Sequence, residues 1–104
     1  MTPENDTSEK RLDEAVRRVT RTARRYADGA EVALQSDEVL RRHVLRGLAQ
    51  NLLEHGRPYC PCRDVTGVEK RDRVNICPCR THLEEIERWG ECECGLYVAE
   101  NNSE

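Results

Sequence analysis

All six cysteines of this 104-residue chain fall in three Cys-x-Cys pairs: Cys60/Cys62, Cys77/Cys79 and Cys92/Cys94, the first two with proline in the middle. No other feature constrains the fold as strongly, because there is little else to build a core from. Nine Leu, nine Val and two Ile, with no Phe, make 20 of the 104 residues, and 36% of residues are charged. A chain so poor in apolar bulk needs a staple: disulfides, a metal or a partner subunit. The net charge of −3 is too small to expand the chain by self-repulsion.

The spacing restricts what the cysteines can do. A residue before proline is pushed into extended backbone, and two extended residues span about 6.5–7 Å between Cα atoms. That is the upper limit of disulfide geometry, so Cys60/Cys62 and Cys77/Cys79 are poor internal disulfides. Structural zinc sites prefer two to four residues between paired ligands. Cys-x-Cys is tighter than that, and six thiols exceed the four a tetrahedral ion takes. A zinc site using four of them stays open. A 4Fe-4S cluster takes four thiolates on separate iron corners and leaves two thiols over, enough for a disulfide beside a one-electron cofactor. Spacing alone does not say which two.

Residues 1–9 carry three acids, no base and no apolar run, unlike a secretory signal or transit peptide. No stretch approaches the ~18 apolar residues of a membrane span. The chain is expected to be cytoplasmic, where clustered cysteines bind metal or do redox chemistry more often than they form structural disulfides.

The rest of the chain reads as a small, mainly α single domain with short extended segments. Residues 1–8 are expected to be a disordered tail, 9–100 the domain and 101–104 a second tail. From Glu9 to about Ala27, Leu12, Val16, Val19, Ala23 and Tyr26 recur with helical spacing. Seven basic residues from Lys10 to Arg25 occupy other positions and read as a solvated face rather than a nucleic-acid site. Asp28-Gly29 is the expected stop. A second helix is predicted from Ser36-Asp37 to Gly56, with Leu40, Val44, Leu48 and Leu52 on one face. Thr81 and Glu84 match a capping box for a short third helix, with Leu83 and Ile86 inward and Gly90 as the stop. The stretch 95–99 reads as extended. The cysteines thus lie on loops joined to three helices.

The order CPC…CPC…C-x-C, approached through "VLRGLAQNLLEHGRPYCPCR" and left through "CGLYV", resembles the catalytic subunit of ferredoxin:thioredoxin reductase. The resemblance covers roughly Ser8 to Ala99 and is strongest from Val44 onward. It implies loops wrapped around a 4Fe-4S cluster held by Cys60, Cys77, Cys79 and Cys92. It also implies a redox-active disulfide between Cys62 and Cys94, with Cys62 as the nucleophile and Cys94 as the sulfur held at the cluster. Each outer pair would then give one sulfur to the cluster and one to the disulfide. The implied activity is ferredoxin-dependent reduction of thioredoxin or a thioredoxin-like protein, with neither nucleic acid nor membrane involved. Plant-type members work with a small companion subunit.

This chain departs from that pattern. Glu93 stands where plant-type members have a histidine thought to aid proton transfer, the segment from Cys79 to Cys92 is longer, and the loop between the CPC pairs is shorter. Glu93 and His82 are the candidate proton carriers, although a solvated or helix-capping role is the plainer reading of each. Arg57, Arg63, Lys70, Arg71, Arg73 and Arg80 form a basic rim suited to an acidic ferredoxin. The competing reading is a non-catalytic zinc-binding interaction module.

Overall fold

A computed structural model describes residues 3–61 and 65–100, with side chains from Glu9 onward. The apolar stripe at the start of the chain forms α1 (Pro3–Ala30). Its 28 residues, at 1.5 Å each, account for most of the longest molecular dimension of 46 Å. The helix starts at Pro3 and so runs through residues 3–8, where the sequence suggests a tail. It also continues through Asp28-Gly29, the expected stop, and leaves the helical region only at Glu31 with φ 59°. The reason is burial. Ala27 belongs to the core and Ala30 packs against it, and this outweighs the roughly 1 kcal/mol that a helical glycine costs.

A three-residue strand, β1 (Val32–Leu34), follows, and the extended segment near the other end of the chain supplies its partner, β2 (Tyr97–Ala99). They pair antiparallel in the register Val32↔Ala99, Ala33↔Val98, Leu34↔Tyr97. Three residues are too few to show a period-2 pattern, so β1 left no mark in the sequence. Its pairing nevertheless returns the third cysteine pair to the helices.

The second predicted helix is α2 (Glu38–His55). Asp37 caps it by accepting the Leu40 N–H at 3.1 Å, and Gly56 ends it at φ 78° with its N–H on Leu52 O. Val44, Leu45, Leu48 and Ala49 bury against α1, each large aliphatic contributing about 1.5–3 kcal/mol. Leu40, on the same periodic face, is half-exposed at the first turn. Gly47 is required by a close approach: a Cβ there would meet the Pro61 ring at 2.7 Å. The first CPC segment therefore lies directly on α2.

The loop between the first two cysteine pairs contains a single turn, α3 (Glu69–Asp72), then a 3-10 turn over Arg73–Asn75. The last helix, α4 (His82–Trp89), stops at Gly90 with φ 81° as expected. Its start differs from the sequence reading. Thr81 makes no side-chain cap; its hydroxyl donates to Glu85 Oε2 at 2.7 Å. Leu83 is 54% exposed, while His82, Glu85 and Ile86 are buried. Buried polar partners turn that face inward where hydrophobicity alone would have chosen Leu83. No helix among the described residues is long and apolar enough to cross a membrane.

Candidate functional site

Cys60 and the second cysteine pair are laid side by side by backbone pairing. Tyr59 and Ile76 form an antiparallel bridge, flanked by Cys60 N–H to Asn75 O at 2.7 Å and Cys77 N–H to Pro58 O at 2.9 Å. Asn51 at the end of α2 donates to Tyr59 O at 2.7 Å and anchors this unit to the helix. The third pair is a tight turn: Gly95 N–H reaches Cys92 O at 2.8 Å, and Gly95 sits at φ 81°, a left-handed conformation that glycine adopts without strain. The turn is held to β2 by Cys92 N–H to Tyr97 O at 2.9 Å and by Tyr97 N–H to Cys92 Sγ at 3.3 Å.

These three segments bring five sulfurs together. The Cys60 thiol interacts electrostatically with Cys77, Cys79 and Cys94, and Cys94 Sγ lies 3.7 Å from Cys92 Sγ. Cys60, Cys79 and Cys92 are buried, Cys77 and Cys94 half-buried, and all five are free thiols. Cys62 and Arg63 lie outside the described residues. Crowding of like groups divides the thiols electrostatically. The hydrogen bond from Cys60 pulls Cys79 down to about 6, whereas Cys60 itself is raised, first by Cys77 and then by Cys79. Cys60 also leads the causes that push Cys94 up to about 12. Cys92 is raised by its hydrogen bond with Cys94 and by burial. The result is one thiolate-prone sulfur, Cys79, beside three thiols, Cys60, Cys92 and Cys94, that are pushed up.

Around the sulfurs lies a layer of rings, His82 and Tyr97 buried and Tyr26 half-buried, that cysteine spacing does not single out. His82 Nδ1 meets the Cys79 carbonyl, which can only accept, so Nδ1 carries the proton and Nε2 faces the Tyr26 hydroxyl. Both ring nitrogens of His82 are therefore occupied by structural bonds. Tyr26 also contacts Tyr97 edge-on, ring centres 5.2 Å apart, and the Tyr97 hydroxyl reaches Cys77. Burial first, then the charge of Cys77, raises both tyrosines. Glu93 is exposed between Cys92 and Cys94.

A clamp on the loop between the CPC pairs also escaped the sequence reading. The buried Asp72 carboxylate accepts from Thr66 N at 2.9 Å, Thr66 Oγ1 at 2.8 Å and Gly67 N at 3.0 Å. The Thr66 backbone bond is the main cause of its lowered pKa, with the Thr66 hydroxyl, Gly67 and His55 contributing. A carboxyl that titrates lower when folded than its unfolded value of about 3.9 contributes its full stability above that value. The contribution is lost as pH falls through the folded value. Melting temperature against pH should therefore show an acid limb below about pH 4 that is shallower in Asp72→Asn, which also melts lower at neutral pH. Parallel limbs in the two proteins would show that Asp72 does not supply this dependence.

Among the described residues, a cleft leads to the sulfurs. A cavity of about 230 Å³ between α1 and the end of α2 is lined by Arg18, Val19, Leu48, Leu52, Arg57 and Pro58 and reaches Cys77. The adjoining groove adds Arg11 and Glu14. Among the described residues, no ion pair engages Arg11, Arg18 or Arg57. Lys70, Arg71, Arg73 and Arg80 are exposed on the loops beyond.

The family described as "Ferredoxin thioredoxin reductase catalytic beta chain" matches residues 6–104. The chain belongs to this family, whose members are oxidoreductases acting on disulfides. It is 33% identical over 82 residues to the ferredoxin-thioredoxin reductase catalytic chain of Guillardia theta, covering 77% of this chain and 76% of that one. To the catalytic chain of the same name from Synechocystis sp. it is 32% identical over 82 residues, covering 77% and 66%.

Proposed function

We propose that the chain is a ferredoxin-dependent disulfide reductase that acts on thioredoxin or a thioredoxin-like protein in the cytoplasm. The observation that carries this reading is the convergence of five cysteines from three separate Cys-x-Cys segments at one buried centre, in a chain of this family. Cys60, Cys77, Cys79 and Cys92 would hold a 4Fe-4S cluster. The donor chemistry fits: four thiols from three loops, one of them thiolate-prone, and a backbone N–H already aimed at the Cys92 sulfur. When bound, the cluster supplies one-electron chemistry to a couple that needs two.

Cys62 and Cys94 form the working dithiol. The Cys62 thiolate attacks the target disulfide, forms a mixed disulfide and expels one target thiolate, which takes a proton. Cys94 then attacks Cys62, loses its proton and expels the second target thiolate, which is protonated in turn. The target has gained two electrons and two protons, and Cys62–Cys94 is left as a disulfide. Two one-electron deliveries from ferredoxin and two protons restore the dithiol. Tyr26, Tyr97 and His82 exclude water from the inner side of the site, and the His82 bond to Cys79 O orients the second CPC loop.

Ferredoxins are acidic as a class. Arg11, Arg18 and Arg57 along the groove to Cys77 suit such a donor as well as Lys70, Arg71 and Arg73 on the loop do. Ferredoxin-driven turnover should fall as rising salt shortens the Debye length to ~8–10 Å, while dithionite-driven turnover stays level. Arg18→Glu and Arg71→Glu, assayed side by side, report which surface docks the donor. A rate indifferent to salt and to both reversals removes the electrostatic docking claim. The reading as a whole is tested by anaerobic purification with iron and sulfide analysis, followed by target reduction with reduced ferredoxin. A colourless protein that retains zinc and reduces no disulfide would sink it.

A further inference from the structure

Glu85 is a buried carboxylate that none of the chemistry above uses. It lies on α4, is 7% exposed, and reaches two cysteine segments at once. Its Oε1 accepts the backbone N–H of Glu93 at 3.0 Å, the residue between Cys92 and Cys94. Its Oε2 accepts the Thr81 hydroxyl at 2.7 Å, and that Oγ1 lies 3.9 Å from Cys79 Sγ. One side chain therefore joins the end of the second cysteine loop to the middle of the third. A leucine of similar volume would fill the same space without the desolvation penalty of a buried acid, so packing alone does not account for the choice of residue. A carboxylate has two oxygens that both accept, which is what two donors from different loops require.

We infer that Glu85 is a positioning residue for the Cys92–Cys94 turn. It holds the backbone at Glu93 in place relative to Cys79, so that the Cys94 sulfur changes partners by side-chain rotation alone. The bond from Glu93 N–H to Oε1 makes this a fixed strut that ties the loops at the two ends of α4 to one side chain of that helix. The inference rests on the disulfide-reductase reading for its consequence and not for its geometry.

The test compares Glu85→Gln and Glu85→Leu in the iron-loaded full chain, with Val44→Ala, a core change between α1 and α2, as a control for simple destabilisation. Glutamine keeps an acceptor for Glu93 N–H, and its amide can donate to the Thr81 oxygen; leucine can do neither. In Glu85→Leu, hydrogen exchange at the Glu93 amide should accelerate at least tenfold. Alkylation of Cys94 in the reduced protein should accelerate relative to wild type. The kcat for target reduction should fall about tenfold with KM unchanged, a loss of about 1.4 kcal/mol in the barrier. Glu85→Gln should recover all three, and Val44→Ala should change none of them while lowering the melting temperature. The inference is overturned if Glu85→Leu leaves Glu93 exchange and Cys94 alkylation at wild-type rates, or if Glu85→Gln fails as Glu85→Leu does, which would point to charge. It is also overturned if Val44→Ala reproduces the effects, which would make them general loosening. Should the wild-type protein reduce no target disulfide, the exchange and alkylation arms still decide the strut, and only the reductase reading falls.

Discussion

A Cys94→Ser protein is expected to trap a mixed disulfide between Cys62 and its target and to complete no turnover. The hydroxyl cannot attack the mixed disulfide, so the target remains attached through Cys62. Cys62→Ser should lose turnover as completely for the opposite reason: no nucleophile remains to begin the exchange. Both proteins should still load iron, since neither residue is among the four proposed ligands. Mass spectrometry of the protein incubated with an oxidised target distinguishes them, with an adduct of target mass on Cys94→Ser and none on Cys62→Ser. The surroundings of Cys94 support the inequality. Its thiol is pushed up to about 12, first by Cys60, and it lies half-buried against Cys92. A thiol held protonated is a poor first attacker. Alkylation after one-electron reduction should therefore mark Cys62 before Cys94. If Cys94 is marked first, or if Cys62→Ser still reduces its target, the two roles are exchanged.

Cys77→Ser carries the other large effect, the loss of both iron and cooperative unfolding. Cys77 stands where three kinds of structure meet. Its N–H closes the bridge to Pro58, its sulfur interacts with Cys60 and with the Tyr97 hydroxyl, and the arginine-lined cleft ends on it. The aliphatic core, in contrast, lies mainly between α1 and α2. The loops have few large apolar residues of their own, so their order is expected to depend on what the sulfurs hold. Calorimetry should give a single sharp transition for the loaded wild type and a broad one at lower temperature for the variant. A Cys77→Ser protein that melted like wild type without iron would show that α1, α2 and the strand pair order the loops unaided.

Particular elements show why some of this was legible in the sequence. α2 was readable at both ends because its signals are local: Asp37 caps its own helix, and Gly56 relaxes its own left-handed turn. The stop of α4 at Gly90 was readable for the same reason. The stop of α1 was not, because Ala27 and Ala30 are held by residues far away in sequence. The capping box at Thr81 and Glu84 misled in a related way. The motif was present, but the Thr81 hydroxyl had a buried partner one residue further on, in Glu85. β1 and the Tyr26–His82 contact join segments far apart in sequence, the Asp72 clamp is a local turn, and none of them leaves a periodic trace.

The sequence by itself determined the donor set. Six thiols spaced as three Cys-x-Cys pairs, in a chain short of aliphatics, and the order of those pairs led to the family, because donor type and spacing are properties of neighbouring residues. Only the tertiary structure decided which groups stand beside those thiols. Cys79 becomes thiolate-prone because Cys60 is folded against it, and Cys77 is reached from an arginine-lined cleft because α1 packs on α2 there. Each depends on a contact between distant parts of the chain. Which distant parts meet is settled by burial summed over the whole molecule, a quantity that no local stretch of sequence contains.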